Sequence, residues 1–360
     1  MYPMRNPIRR YDWGSTEVIP ELLGVTPDGQ PQAELWMGAY ETESSLVRID
    51  RRWHDLAAVL RARGEPRLPF LAKVTAIGAP LSLQIHPVAG PHAKTEMLYA
   101  WQPCRVLCGF RDAATVRTLL ADLRDAAAGR EVAGIVDSLL ERTDYQDALR
   151  DCFGRLLAID GDRVAAVRDD LRRLPRWHPV AAAVDELAAH HPTDPAVLAP
   201  MLLADVTLAP GEAIVCRPGQ PHTYLSGVGI EVQSNSDSVV RAGLTSKSVD
   251  RDAFVAGLVT RAGAARVTPS ACGPERVYAP EGVDVALGVV GDVADRSTRL
   301  ADGVAGPQIL FCVEGGYAVS RGSVALELRH GESAFVPAST ADVVVRGKGS
   351  LARVSTGRRG

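Results

Sequence analysis

The segment Leu81-Ser82-Leu83-Gln84-Ile85-His86-Pro87 places polar side chains at every second position. On a strand, neighbouring side chains point to opposite faces. Ser82, Gln84 and His86 therefore share one face, and Leu81, Leu83 and Ile85 share the other. An imidazole nitrogen and an amide oxygen side by side can reach one metal ion. The same alternation also describes a strand with one face in solvent. Lys94-Thr95-Glu96-Met97 follows shortly and adds an ammonium and a carboxylate. Far downstream, Pro218-Gly219-Gln220-Pro221-His222-Thr223-Tyr224 sets a histidine just after a turn, at a strand entrance. Taken singly, each histidine equally fits a surface position or a satisfied core position.

Something must hold these segments together. Leu68 to His86 reads as strand, break at Ala79-Pro80, then strand. From about 112 to 203 the texture changes to apolar positions at helical spacing, rich in Ala, Leu and Arg. From about 204 short β-prone runs return, divided by Pro-Gly and Gly-Glu turns. The far C-terminus resembles that stretch: Leu208-x-x-Gly211-Glu212 matches Leu328-x-x-Gly331-Glu332. Each is followed by a small apolar strand, a proline and a second strand. His222 of the first copy falls near Ala341 of the second, which has no histidine close by. Any site therefore belongs to the first copy. The expected fold is mainly β with inserted α: two cupin-like jelly-roll barrels plus a helical insertion. Residues 1–111 begin the site-bearing body, 112–203 form the insertion, 204–265 complete the body, and 266–360 form a degenerate cupin-like unit. The default role for the insertion is packing against the body and shaping the cleft.

Composition narrows the function classes. The chain has 360 residues, with 40 Lys+Arg against 43 Asp+Glu, a net charge of −3. That balance argues against a dedicated nucleic-acid binder. A hydrophobic share of 46% supports a sizeable core and excludes a disordered chain. The arginine pairs Arg172-Arg173 and Arg358-Arg359 read as solvated surface. No apolar run is long enough for a membrane helix, and no apolar segment follows the N-terminal arginines. The expectation is a cytoplasmic protein with no membrane partner. The six cysteines are scattered; only Cys104 and Cys108 are close, a poor zinc pattern, so buried free thiols are expected.

Several separated blocks together resemble the type I mannose-6-phosphate isomerases. They are Tyr11-Asp12-Trp13-Gly14, Ala33-Glu34-Leu35-Trp36-Met37-Gly38, Leu68-Pro69-Phe70-Leu71-Ala72-Lys73, Leu81 to Pro87, Lys94 to Met97, and Pro221 to Leu225. The longest runs from Glu231 to Lys247 and includes Ser236-Asp237-Ser238-Val239-Val240-Arg241-Ala242-Gly243-Leu244. The resemblance implies one zinc ion per chain, held by Gln84, His86, Glu96 and His222. It makes Arg241 the catalytic arginine. Ser82, Lys73, Lys94 and Tyr224 become candidate substrate contacts, and Glu231, Asp237 and Lys247 candidate proton-transfer groups. The implied reaction is interconversion of mannose 6-phosphate and fructose 6-phosphate through a cis-enediol. Alternatives are an isomerase of another sugar phosphate, or a metal-containing cupin that binds a sugar phosphate without turnover. This chain departs from the family pattern at the cleft rim. Only nine residues separate His86 from Glu96, and Val88, Thr95 and Ala39-Tyr40-Glu41 stand where the family usually has other residues. Oligomeric state is not readable from these features.

Overall fold

The structure is a computed structural model. It describes all residues except 89–92, 126–133, 135–138, 140–143, 175–177, 261–262, 282, 294–296, 301–305, 339–341 and 357–360. Arg358, Arg359 and Ala341, named above, lie outside the described residues.

Among the described residues, two large antiparallel sheets of eleven strands each and a two-stranded pair, Ala39–Tyr40 with Glu43–Ser44, make up the β portion. This is the cupin-like architecture expected from the turn pattern, although the described hydrogen bonds close neither sheet into a barrel. One sheet is organised around a single long strand, His222–Ser234. Its first part pairs with Cys104–Phe110 and, at His222, with Gln84 of the Leu83–Ile85 strand. Its second part lies between Phe70–Ile77 and Glu96–Ala100. The handover occurs at Gly227, whose φ of 116° is open mainly to glycine. A Cβ there would stand 2.3 Å from the Pro103 carbonyl oxygen. The short strand Val240–Gly243 then pairs with Leu83–Ile85, setting Arg241 opposite Gln84.

The other sheet is mostly C-terminal, with Gln308–Arg321 and Val344–Ser355 as its longest pair. It also takes in Tyr2–Arg5, which pairs with Ser333–Val336 on one side and Leu46–Ile49 on the other. The repeat seen in the sequence is a repeat of local structure. Glu212 accepts the Ala209 N–H at 2.8 Å, and Glu332 accepts the Arg329 N–H at 2.9 Å. Each turn thus folds back on its own glutamate before the next strand. Near the C-terminal end of Val344–Ser355, Arg353 forms a buried bidentate pair with Glu275, 2.7 Å at each nitrogen.

The helical region contains Ala113–Asp125, Tyr145–Leu157, Gly161–Leu171 and Pro179–His190, then a 3-10 segment, Pro195–Met201. The breaks follow capping chemistry. Asp144, Asp160 and Asp194 each accept backbone N–H groups at a helix start. The apolar faces of these helices join one core with Leu83, Ile85, Ala242 and Leu244, behind the strands that carry Gln84 and Arg241. Arg172 and Arg173 are exposed, as expected. All cysteines are free thiols; five are buried, while Cys272 is only half-buried, a correction to the sequence reading. Among the described residues no helix is long and apolar enough to cross a membrane.

Gly227→Ala should destabilise the protein by about 2 kcal/mol or more, because it adds both an unfavourable φ and a backbone clash. A urea titration monitored by circular dichroism measures the loss.

Candidate metal centre and substrate cleft

Four strands deliver the central side chains: Leu83–Ile85 brings Gln84, with His86 just beyond its end; Glu96–Ala100 brings Glu96; His222–Ser234 brings His222, Tyr224 and Glu231; and Phe70–Ile77 brings Lys73. Register does the positioning. Gln84 lies opposite His222, Glu96 opposite Gln233, and Lys73 opposite Glu231.

Glu96 is the focus. It is 1% exposed, and both carboxylate oxygens are engaged. Oε2 lies 2.9 Å from His86 Nε2 and 2.9 Å from Lys94 Nζ. Oε1 accepts the Tyr224 hydroxyl at 2.6 Å and lies 3.4 Å from His222 Nε2. Burial opposes its charge, but Lys94 and His86 outweigh that and hold its pKa well below the usual carboxylate range.

Each imidazole is oriented from behind. His86 Nδ1 faces the Ser238 carbonyl at 3.2 Å, and His222 Nδ1 faces the Gln220 carbonyl at 2.8 Å. A ring that donates through Nδ1 presents the Nε2 lone pair forward. Donor atoms of His86, Glu96 and His222 all lie within 4.8 Å of one another, and all three residues are buried. Gln84 stands beside the cluster: its Nε2 lies 3.3 Å from His222 Nε2, while its Oε1, the atom able to ligate an ion, accepts the Ser82 hydroxyl at 3.0 Å. Two imidazoles, one carboxylate and an amide, with no thiolate among them, fit a divalent ion such as zinc. Burial and the nearby Lys94 push His86 down to about 4, so its imidazole is neutral near pH 7. Burial also presses on His222, but Cys216 and Glu96 outweigh it and raise this ring to about 9. The cluster thus holds a proton on His222 where an ion would supply positive charge.

Beside this cluster opens a polar cleft of about 100 Å³. Gln84, Glu96, Ser82, Lys73, Lys94, Tyr224, Glu231, Asp237, Arg241 and Lys247 all line it, as the sequence reading expects. His86 and His222 are packed against its floor through Glu96. The cations differ in availability. Lys94 is bonded to Glu96, and Lys73 lies 2.9 Å from Glu231 and 3.4 Å from Glu34. Arg241 and Lys247 form no ion pair among the described residues. Lys247 instead sits over the Tyr11 ring, its nitrogen 3.7 Å from the centroid. Burial and the Arg241 charge lower its pKa.

Glu34 was not singled out by sequence. It is buried, and accepts the Trp36 indole N–H at 2.7 Å while facing Lys73. Its need follows from burial: Glu34–Met37 is wholly buried, so its acidic residue requires an internal cation. Two carboxylates now share one ammonium. Burial raises Glu231; Lys73 opposes this, while Glu96 and Glu34 add to it, and its pKa stands at about 7. Burial works against the Lys73 charge, but Glu231 and Glu34 outweigh it and hold the ammonium protonated. Tyr11, Asp12 and Trp13 also line the cleft, from a block to which the sequence reading gave no role.

This fold and centre define a cupin-like protein whose buried His–Glu–His group could hold one metal ion beside a polar cleft lined by cations and carboxylates. A family model for the type I phosphomannose isomerase catalytic domain matches residues 1–113, and one for the mannose-6-phosphate isomerase cupin domain matches residues 292–356. The mannose-6-phosphate isomerase of Escherichia coli K12 is 32% identical, over 98% of this chain and 99% of its own. Mannose-6-phosphate isomerase 1 of Arabidopsis thaliana is 27% identical over 94% of this chain and 89% of its own. Among solved structures, a variant of the Salmonella typhimurium phosphomannose isomerase superposes with TM-score 0.88 at 29% identity, covering 99% of both chains. A zinc-bound mannose 6-phosphate isomerase superposes with TM-score 0.85 at 30% identity, again over 99% of both. The chain belongs to the type I phosphomannose isomerase family.

Lys73→Met would leave Glu34 and Glu231 buried without their cation. The expected cost is about 3–5 kcal/mol of stability at neutral pH, read by urea unfolding.

Proposed function

We propose that the chain is a zinc-dependent isomerase interconverting mannose 6-phosphate and fructose 6-phosphate through a cis-enediol intermediate. One observation carries this reading: the buried His86–Glu96–His222 cluster adjoins, through Glu96, a cleft lined by the buried acid Glu231 and by Arg241 and Lys247, which form no ion pair among the described residues. Gln84, His86, Glu96 and His222 hold the zinc ion. When bound, the ion supplies Lewis acidity toward the oxygens on the two carbons that exchange a hydrogen.

The protein's own groups do the rest. Glu231 moves the proton between the adjacent carbons, because a carboxyl near pKa 7 both accepts and returns a proton at neutral pH. Asp237 and Lys247 were equal candidates by sequence, but both lie exposed at the rim, where water competes for the proton. Lys73 and the Thr75 hydroxyl hold Glu231 in place. Arg241 and Lys247 are the cations free to meet the substrate's negative charge, and the guanidinium fork matches phosphate or enediolate oxygens. Ser82, bonded to the Gln84 amide at 3.0 Å, orients that ligand as well as lining the cleft. Lys94 and Tyr224 reach the substrate side of the cleft while holding Glu96. On this reading, residues 1–111 and 204–265 form the catalytic body, 112–203 the insertion, and 266–360 a structural unit that borrows N-terminal strands.

Fructose 6-phosphate formed from mannose 6-phosphate should disappear on chelation and return on zinc addition. Retained zinc with no turnover of this substrate would instead favour another sugar phosphate or a binding role.

The pH dependence has a fixed sign. Below about 7 Glu231 is protonated and cannot accept a proton, so kcat/KM should fall on the acid side with a midpoint near 7. Glu231→Gln should lower kcat by about a hundredfold or more while leaving zinc bound. A pH–rate profile and a metal assay check both.

A further inference from the structure

Asp194 ties the helical insertion to the turn that follows Arg241. Asp194 lies between the last insertion helix and the 3-10 segment Pro195–Met201. Its Oδ1 accepts the Ala196 N–H at 3.0 Å, which caps that segment. Its Oδ2 accepts the N–H of Leu244 at 2.7 Å, three residues beyond Arg241. Arg251 completes the knot: it reaches Asp194 Oδ1 at 3.3 Å and donates to the Ala242 carbonyl at 3.0 Å.

The chain segment so held is unusual. Register breaks between Arg241 and Gly243, so the strand bulges immediately after the arginine. Leu244 has a φ of 57°, a left-handed conformation that leucine disfavours. Such a conformation persists where surrounding contacts impose it. Two do so here: the Asp194 bond to the Leu244 N–H, and burial of the Leu244 side chain in the helical core. Gly243 fits against the same carboxylate so tightly that a Cβ would stand 2.5 Å from Oδ1. Without the carboxylate, the Leu244 N–H loses its acceptor, and the bulge keeps only the Arg251 bond to the Ala242 carbonyl and the Asp250 N–H bond to the Arg241 carbonyl; the adjoining residue is the cleft's guanidinium.

We propose that Asp194 is a positioning residue: it fixes the turn behind Arg241 and so sets where the guanidinium stands in the cleft. The insertion thereby acquires a role in the reaction, through the backbone and without touching substrate. The inference rests on the reading of Arg241 as a group that acts on substrate.

A double-mutant cycle tests it, using zinc-loaded Asp194→Ala, Arg241→Lys and the double variant, with kcat and KM for mannose 6-phosphate. A displacement of about 1 Å at a reacting group can cost a hundredfold. Asp194→Ala should therefore lower kcat by about tenfold or more, with a smaller change in KM. In the Arg241→Lys background the same change should cost less than about threefold, because coupled residues are not additive. An equal loss in both backgrounds would overturn the inference while leaving the reading of Arg241 intact. Wild-type kcat in Arg241→Lys alone would overturn both. If Asp194→Ala does not fold, Asp194→Asn, which keeps the shape and one acceptor oxygen, takes its place in the cycle with the same two criteria.

Discussion

A carboxylate sealed from water dictates the arrangement of this molecule's centre. Glu96 cannot be solvated, so its charge must be met by the protein. Four partners do this: His222 and Tyr224 from one strand, His86 from just beyond the end of Leu83–Ile85, and Lys94 from the loop before Glu96. Bringing them together requires the strand His222–Ser234 to serve two sets of neighbours, and Gly227 allows the bend between them. The backbone carbonyls of Ser238 and Gln220 then turn both imidazoles so that Nε2 faces inward. A metal ion suits this place for the same reason that a proton does: the surrounding groups call for positive charge.

A second charge balance sits beside the first and is left incomplete. Glu34 and Glu231 share the single ammonium of Lys73, all three buried. Burial, with too little positive charge to offset it, raises the pKa of Glu231 to about 7. At the mouth the imbalance is reversed: Arg241 and Lys247 form no ion pair among the described residues, and burial together with the Arg241 charge lowers the pKa of Lys247. The apolar core of the insertion backs the strands that carry Gln84 and Arg241, so helices far in sequence from the site stiffen its wall.

Much of this was legible one segment at a time. The alternation through Ser82, Gln84 and His86 gave the correct split, with Leu81, Leu83 and Ile85 buried on the other side. The Gly-Glu repeat marked two turns that share the same glutamate hydrogen bond. The helical spacing from about 112 to 203 marked the insertion, while the breaks at Asp144, Asp160 and Asp194 emerged with the structure. The role of Glu34 was harder to see, because its environment depends on Lys73, 39 positions away. The splitting of the cations into paired and free was equally hidden, since Lys73, Lys94, Arg241 and Lys247 look alike as isolated letters.

The sequence by itself determined the residue types, the strand faces and the family, because periodicity and long motifs are local properties of the chain. It also carried the contrast between a site-bearing copy and a degenerate one. Only the tertiary structure decided which acid stays near neutral, which cations remain free, and that Asp194 reaches across to the turn behind Arg241. Those outcomes depend on burial and on distances between strands remote in sequence. Electrostatic energy follows separation and solvent exclusion in space, and neither is written in the order of residues.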